Sequence, residues 1–71
     1  MNSLSFIVNI EQRVKQIRDN NILNKRLNIQ LENKTECGEL IVIGDSFIII
    51  KPTFGLPVTI ELKDILFMTW K

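Results

Sequence analysis

Apolar and polar residues alternate with a period of two over residues 26–32 and again over residues 58–62, which is typical of a half-buried β-strand. Residues 40–43 and 47–50 are apolar on consecutive positions, and residues 65–70 have apolar residues on both faces of a strand, which predicts strands that are covered on both faces. Together with their flanking turn residues, these patterns predict strands at about residues 26–32, 35–43, 46–51, 57–62 and 65–70.

The N-terminal part of the chain has a different period. Five apolar residues recur at spacings of mainly three and four, which predicts an amphipathic helix over about residues 4–19. Ser3 or Ser5 is the expected cap, and Asn9 with Gln12 is an alternative that shortens the helix. We expect the apolar stripe to pack on the rest of the chain, with binding of a protein partner as the alternative. These apolar residues are Phe6, Ile7, Ile10, Val14 and Ile17.

Residues 38–51 predict a β-hairpin around which the other elements are organised. Gly44-Asp45 suits a type II′ turn, because glycine readily adopts the positive φ of the first central position. Gly38 permits a sharp bend within the first strand. A short chain cannot easily bury two apolar faces, so we expect the second face to be covered by the helix, by closure of a barrel or by another subunit.

Length and composition limit the choices. At 71 residues we expect a single domain over residues 1–71, and a chain of this size buries only about 60% of the surface of its unfolded state. A single cysteine excludes an internal disulfide, indicates a cytoplasmic protein and, with no histidine, excludes an ordinary zinc site. A net charge of +1 creates no general attraction to nucleic acid, and no apolar run could span a membrane.

The residue types predict no reaction. Without histidine, Cys37, Ser46 and Thr53 have no evident base, and the carboxylates lie at predicted turns and polar strand faces. We therefore expect no catalytic residues, no cofactor, no metal and no small-molecule substrate. A weaker basic and aromatic pattern gives Phe47, Lys51 and Lys63 as candidate nucleic-acid contacts, since aromatic side chains, which here include Phe54 and Trp70, can stack on bases.

The order of elements resembles the Sm and Hfq superfamily of small β-barrels. The similarity rests on residues 26–31 as first strand, on Gly38-x-Leu40 with Asp45-x-Phe47, and on residues 60–65. It implies an N-terminal helix followed by a five-stranded, strongly bent antiparallel barrel, in a bacterial protein. The RNA-binding motifs are not matched: Ile48 stands where Asn is expected, and Lys63-Asp64 replaces Arg-Gly.

The resemblance also implies self-association, because such proteins form rings by pairing the fourth strand of one subunit with the fifth of the next. Residues Ile65, Phe67, Met68 and Trp70 would lie in that interface. We therefore expect a non-enzymatic interaction or structural module that forms a homo-oligomer. The alternatives are an Sm-like RNA-binding regulator and a small regulator that binds a protein partner through its N-terminal helix.

Overall fold

The computed structural model describes residues 2–5 and 9–70, which form a β-sheet, an α-helix and a 3₁₀ turn. The alternating and apolar stretches fold into strands within one or two residues of the predicted bounds. The elements in chain order are β1 (Asn2–Ser5), α1 (Ile10–Asp19), β2 (Arg26–Leu31), β3 (Thr35–Ile43), β4 (Phe47–Lys51), β5 (Val58–Glu61), the 3₁₀ turn η1 (Leu62–Asp64) and β6 (Ile65–Trp70).

The strands form one antiparallel sheet in the order β1-β6-β2-β3-β4-β5. The prediction of a mainly β fold with one helix is confirmed. The predicted closed barrel of five strands is not observed: the described residues form six strands, and β1 and β5 are the two open edges of the sheet. The difference arises because residues 2–5 pair with β6, with Leu4 opposite Met68, instead of starting the helix.

The helix is therefore shorter than its first predicted bounds, and its cap is the alternative one. The side chain of Asn9 accepts a hydrogen bond from the backbone N–H of Gln12 at 3.0 Å, which satisfies a free donor in the first turn. At the other end Asn21, two residues after the last helical residue, adopts φ of 53°, the left-handed conformation that asparagine accepts just after a helix. The predicted helical residues Phe6 and Ile7 lie outside the described residues.

The core lies between the helix and one face of the sheet. Val14 and Ile17 supply the helical side, so the apolar stripe packs within the chain as expected. Along β2, Leu27 and Ile29 are fully buried while the polar residues between them are exposed, as the alternation predicts. The complete set of buried apolar residues is Val14, Ile17, Ile22, Leu27, Ile29, Leu40, Ile48, Ile50, Ile60, Leu62, Ile65, Met68 and Trp70.

The turn between β3 and β4 differs from the predicted type II′ turn. The N–H of Gly44 donates to the carbonyl of Phe47 at 2.8 Å, which centres the turn on Asp45 and Ser46, and none of these residues has a positive φ. Glycine is needed for space, because a Cβ at position 44 would overlap the ring of Phe47. The prediction of a hairpin here is confirmed, and the turn type is wrong.

Gly38 lies where β3 passes from β2 to β4. It is the Cα partner of Leu27, and the next residue, Glu39, faces both Arg26 and Lys51. A Cβ at position 38 would lie 3.0 Å from the backbone carbon and oxygen of Lys51, so only glycine allows this approach without displacing β4. One residue pair further along, the register shifts between Leu40 and Val42, as in a β-bulge.

Arg13 links the helix to the turn before β6. Its Nη1 donates to the backbone oxygen of Leu62 and lies 3.4 Å from the oxygen of Ile65, with the guanidinium partly buried. On the outer side of the same helix, Lys15 and Asp19 form an exposed pair at 2.7 Å, which raises the pKa of Lys15 through the hydrogen bond and then through charge attraction. The helix is thus fixed on the sheet by apolar packing and by one cation.

Candidate interaction surface

The residues predicted to form an oligomer interface lie mainly inside the chain. Ile65 and Met68 are fully buried, Trp70 is 4% exposed, and Phe67 is half-buried. Strand β6 also has neighbours on both sides, since β2 pairs with one edge and β1 with the other. The reason for placing these residues in an interface, their need for cover, is therefore met by the core and by β1. A ring that uses the outer edge of β6 would first have to displace β1.

Two of the three candidate nucleic-acid contacts lie near each other. Phe47 is the register partner of Glu61, and Lys63, just beyond β5, pairs with the same Glu61 at 3.4 Å. Lys51 lies at the opposite end of β4 from Phe47, about 13 Å away along the strand. Ile48, at the position where the resemblance to Sm proteins leads us to expect Asn, is fully buried in the core. Lys51 therefore lies apart from the other two candidates.

No chemical centre is apparent in the part of the chain that the structure describes. Within residues 2–5 and 9–70 there is no group of three or more Asp, Glu or Cys side chains that could hold a metal ion. Cys37 is an exposed strand residue whose thiol lies 2.7 Å from the side-chain oxygen of Asn28. In the same described ranges, no helix has the length and apolar character needed to cross a bilayer.

The most unusual surface feature is the loop between β4 and β5, residues 52–57, here called the apolar loop. Its Phe54 is 91% exposed and its Leu56 is 83% exposed, far more than the other large exposed apolar residues. Gly55 between them has φ of 111°, a left-handed value that favours glycine and that turns the chain sharply. The loop therefore presents two apolar side chains to water, where they make almost no contact with their own chain.

Two cations hold the apolar loop at its base. The ammonium of Lys51 donates to the backbone oxygen of Gly55 at 2.8 Å and lies 3.3 Å from that of Pro52. Arg26, the first residue of β2, donates from Nη2 to the hydroxyl of Thr53 at 2.7 Å. Together with the prolines at both ends, whose φ is fixed by the ring, these contacts restrict the backbone of the loop.

A groove, here called the acidic groove, begins at the other end of β2 and extends along β5 as far as Val58, the residue after the apolar loop. It consists of two adjoining depressions of about 310 and 210 Å³, between the 32–34 turn, η1 and the outer edge of β5. Its apolar surface comes from Leu31 and Val58, which are half-buried, and from Leu66, which is 52% exposed. Four carboxylates and two lysines surround it: Glu32, Glu36, Glu61, Asp64, Lys34 and Lys63.

Charge differs between the two ends of the molecule. Beside the apolar loop, Arg26 and Lys51 are both register partners of Glu39. Around the acidic groove each lysine is paired with a glutamate, Lys34 with Glu36 and Lys63 with Glu61. Within the described residues, Glu32 and Asp64 form no ion pair. The loop end is therefore positive and the groove end negative, although the whole chain has a net charge of only +1.

Comparison with known proteins adds no assignment: no family model, no curated protein and no solved structure matches this chain. The candidate surface therefore rests on the residues and geometry of the chain alone.

Sequence reasoning found only part of this surface. The sequence identifies Phe54 only as one of the aromatic residues available for stacking. Residues 52–57 are predicted only as the connection between two strands, and neither Leu56 nor the groove is singled out. A signal was present, because two large apolar residues between closely spaced prolines have no strand or helix through which to reach a core. The groove had no comparable signal, since it forms only when the 32–34 turn, η1 and β5 meet in the folded chain.

Proposed function

We propose that this protein is a non-enzymatic interaction module that associates with further copies of itself. The observation that carries the proposal is the apolar loop, in which Phe54 and Leu56 are 91% and 83% exposed on a restrained backbone. Burial of a large apolar side chain contributes about 1.5–3 kcal/mol, so a partner that covers both gains substantially. A relationship to Sm-like proteins, expected from the sequence, is compatible with this function and stays a prediction.

Two residues alone do not make a tight complex. Association costs at least about 4 kcal/mol in lost freedom of motion, which is close to the gain from covering the loop. Covering the loop alone therefore gives almost no net affinity, and an assembly that is measurable below about 1 mM needs further contacts around the loop.

Binding of single-stranded RNA is a second candidate, favoured by the position of the exposed Phe54 beside Arg26 and Lys51. An exposed ring between cations can stack on a base while the cations contact phosphate. However, both cations already donate to the loop, and a phosphate would have to compete for those donors. Self-association therefore ranks first, and RNA binding, if present, must weaken with added salt.

Sedimentation velocity with light scattering tests the leading proposal. From about 5 to 500 µM we expect the mean mass to rise above the 8.3 kDa of one chain. A constant mass of 8.3 kDa over this range would contradict self-association. A fluorescently labelled single-stranded oligonucleotide, titrated at low and at high salt, tests the second candidate separately.

A further inference from the structure

We infer that the apolar loop of one copy seats in the acidic groove of the next, which makes the assembly head-to-tail. This inference rests on the proposed self-association and specifies its interface. The loop is a convex, apolar and positive surface, and the groove is concave, partly apolar and negative. A second copy of this chain therefore supplies a partner complementary to the loop in both shape and charge.

The two surfaces do not cover each other within one chain. The groove adjoins the loop at Val58, but its Leu31 and Glu32 lie at the end of β2, about 16 Å along that strand from Arg26, which holds the loop. The exposure of Phe54 also shows that the loop is not seated in its own groove. Contact between the two surfaces therefore needs two molecules.

Charge favours the head-to-tail arrangement over a loop-to-loop or a groove-to-groove dimer. A loop-to-loop dimer would bring Arg26 and Lys51 of both copies together. A groove-to-groove dimer would bring together Glu32 and Asp64 of both copies, and these carboxylates form no ion pair within the described residues. Head-to-tail contact places the cations beside these carboxylates. Like charges brought together at an interface are unfavourable, so the complementary arrangement is preferred.

A head-to-tail contact uses two different surfaces, so each copy keeps a free loop or a free groove after binding one neighbour. Such contacts produce rings when the rotation between copies closes and open chains when it does not. The assembly must therefore proceed beyond dimers as concentration rises. This property distinguishes it from a symmetric dimer that uses one surface twice.

Two variants separate the surfaces. Phe54→Ser removes the largest apolar side chain of the loop and leaves the groove, while Leu66→Arg fills the groove with a charged side chain and leaves the loop. Both residues are exposed, so both variants are expected to fold. Val42→Thr is the matched control, because threonine has nearly the shape of valine. Val42 is 39% exposed and lies outside both surfaces.

Each variant alone should associate about ten- to a hundredfold more weakly than the natural chain, and Val42→Thr should not differ from it. The decisive sample is the mixture. Phe54→Ser offers an intact groove and Leu66→Arg an intact loop, so the two should form a one-to-one heterodimer that grows no further. Added salt should weaken both the heterodimer and the natural assembly, because the surfaces carry opposite charge.

Distinct results overturn the inference and the proposed function. If the natural chain assembles but Phe54→Ser assembles equally well, or if the mixture stays monomeric, the loop does not seat in the groove and self-association remains. If the natural chain is monomeric at every concentration, the proposed function fails as well. A monomer that binds anionic phospholipid vesicles or single-stranded RNA through Phe54 would assign the loop to that partner instead.

Discussion

Two stretches of equal length that contain large apolar residues differ in how far those residues are buried. Residues 65–70 form β6, where Ile65, Met68 and Trp70 are buried, while residues 52–57 form a loop whose Phe54 and Leu56 are almost fully exposed. Strand β6 lies between β1 and β2 in the sheet, whereas none of the described strands or the described helix covers Phe54 or Leu56. Position in the sheet, more than apolar content, therefore decides which of these residues a partner can contact.

The strongest test of this contrast removes a side chain from β6. Met68→Ala should destabilise the isolated chain by about 2–5 kcal/mol, because it leaves a cavity in the core. Urea unfolding at low protein concentration measures the change. Leu66→Ala on the same strand is the control and should cost under about 1 kcal/mol, since Leu66 is half exposed. If Met68→Ala dissociates an assembly but leaves the stability of the monomer unchanged, β6 is an interface after all.

This contrast also shows what the sequence could predict. Alternation at Leu27 and Ile29 identifies β2 and its buried face, because one strand with one covered face determines that pattern locally. Consecutive apolar residues in β6 predict cover on both faces but not its source. They also do not predict that β1 occupies the outer edge of β6, because this pairing across more than 60 residues depends on the whole sheet. The groove depends on the same long-range assembly, so local patterns could not predict it.

A second test concerns how the base of the apolar loop is held against β3. Gly38→Ala should destabilise the chain by about 1–3 kcal/mol, because the added Cβ would press on the backbone of Lys51. Glu39→Ala, on the exposed neighbouring position, should change the free energy of unfolding by about 0.5 kcal/mol or less. Thermal or urea unfolding compares the two. Equal stability of the two variants would mean that β4 can move away from β3 at little cost.

The third test concerns the contact between the helix and the turn before β6. Arg13→Met keeps most of the apolar stem but removes the guanidinium that donates to the oxygen of Leu62, so we expect a loss of about 1–3 kcal/mol. Arg18→Met, an exposed change on the same helix, is the matched control and should cost about 0.5 kcal/mol or less. If both arginines can be replaced at equal cost, apolar packing alone fixes the helix on the sheet.

The last test concerns Lys51, whose replacement should have the smallest effect on the stability of the fold and the largest effect on the order of the apolar loop. Lys51→Met removes the ammonium that donates to Gly55 but keeps a long apolar stem, so the free energy of unfolding should fall by about 1 kcal/mol or less. The backbone order parameters of residues 53–56, measured by NMR relaxation, should nevertheless decrease.

Lys15→Met, which removes an exposed pair with Asp19 outside both the loop and the groove, should leave those order parameters unchanged. If the loop remains equally ordered without the ammonium of Lys51, its prolines alone restrain it. If the loop loosens and self-association also weakens, the restrained backbone contributes to binding, because a mobile loop must lose entropy when a partner covers Phe54 and Leu56.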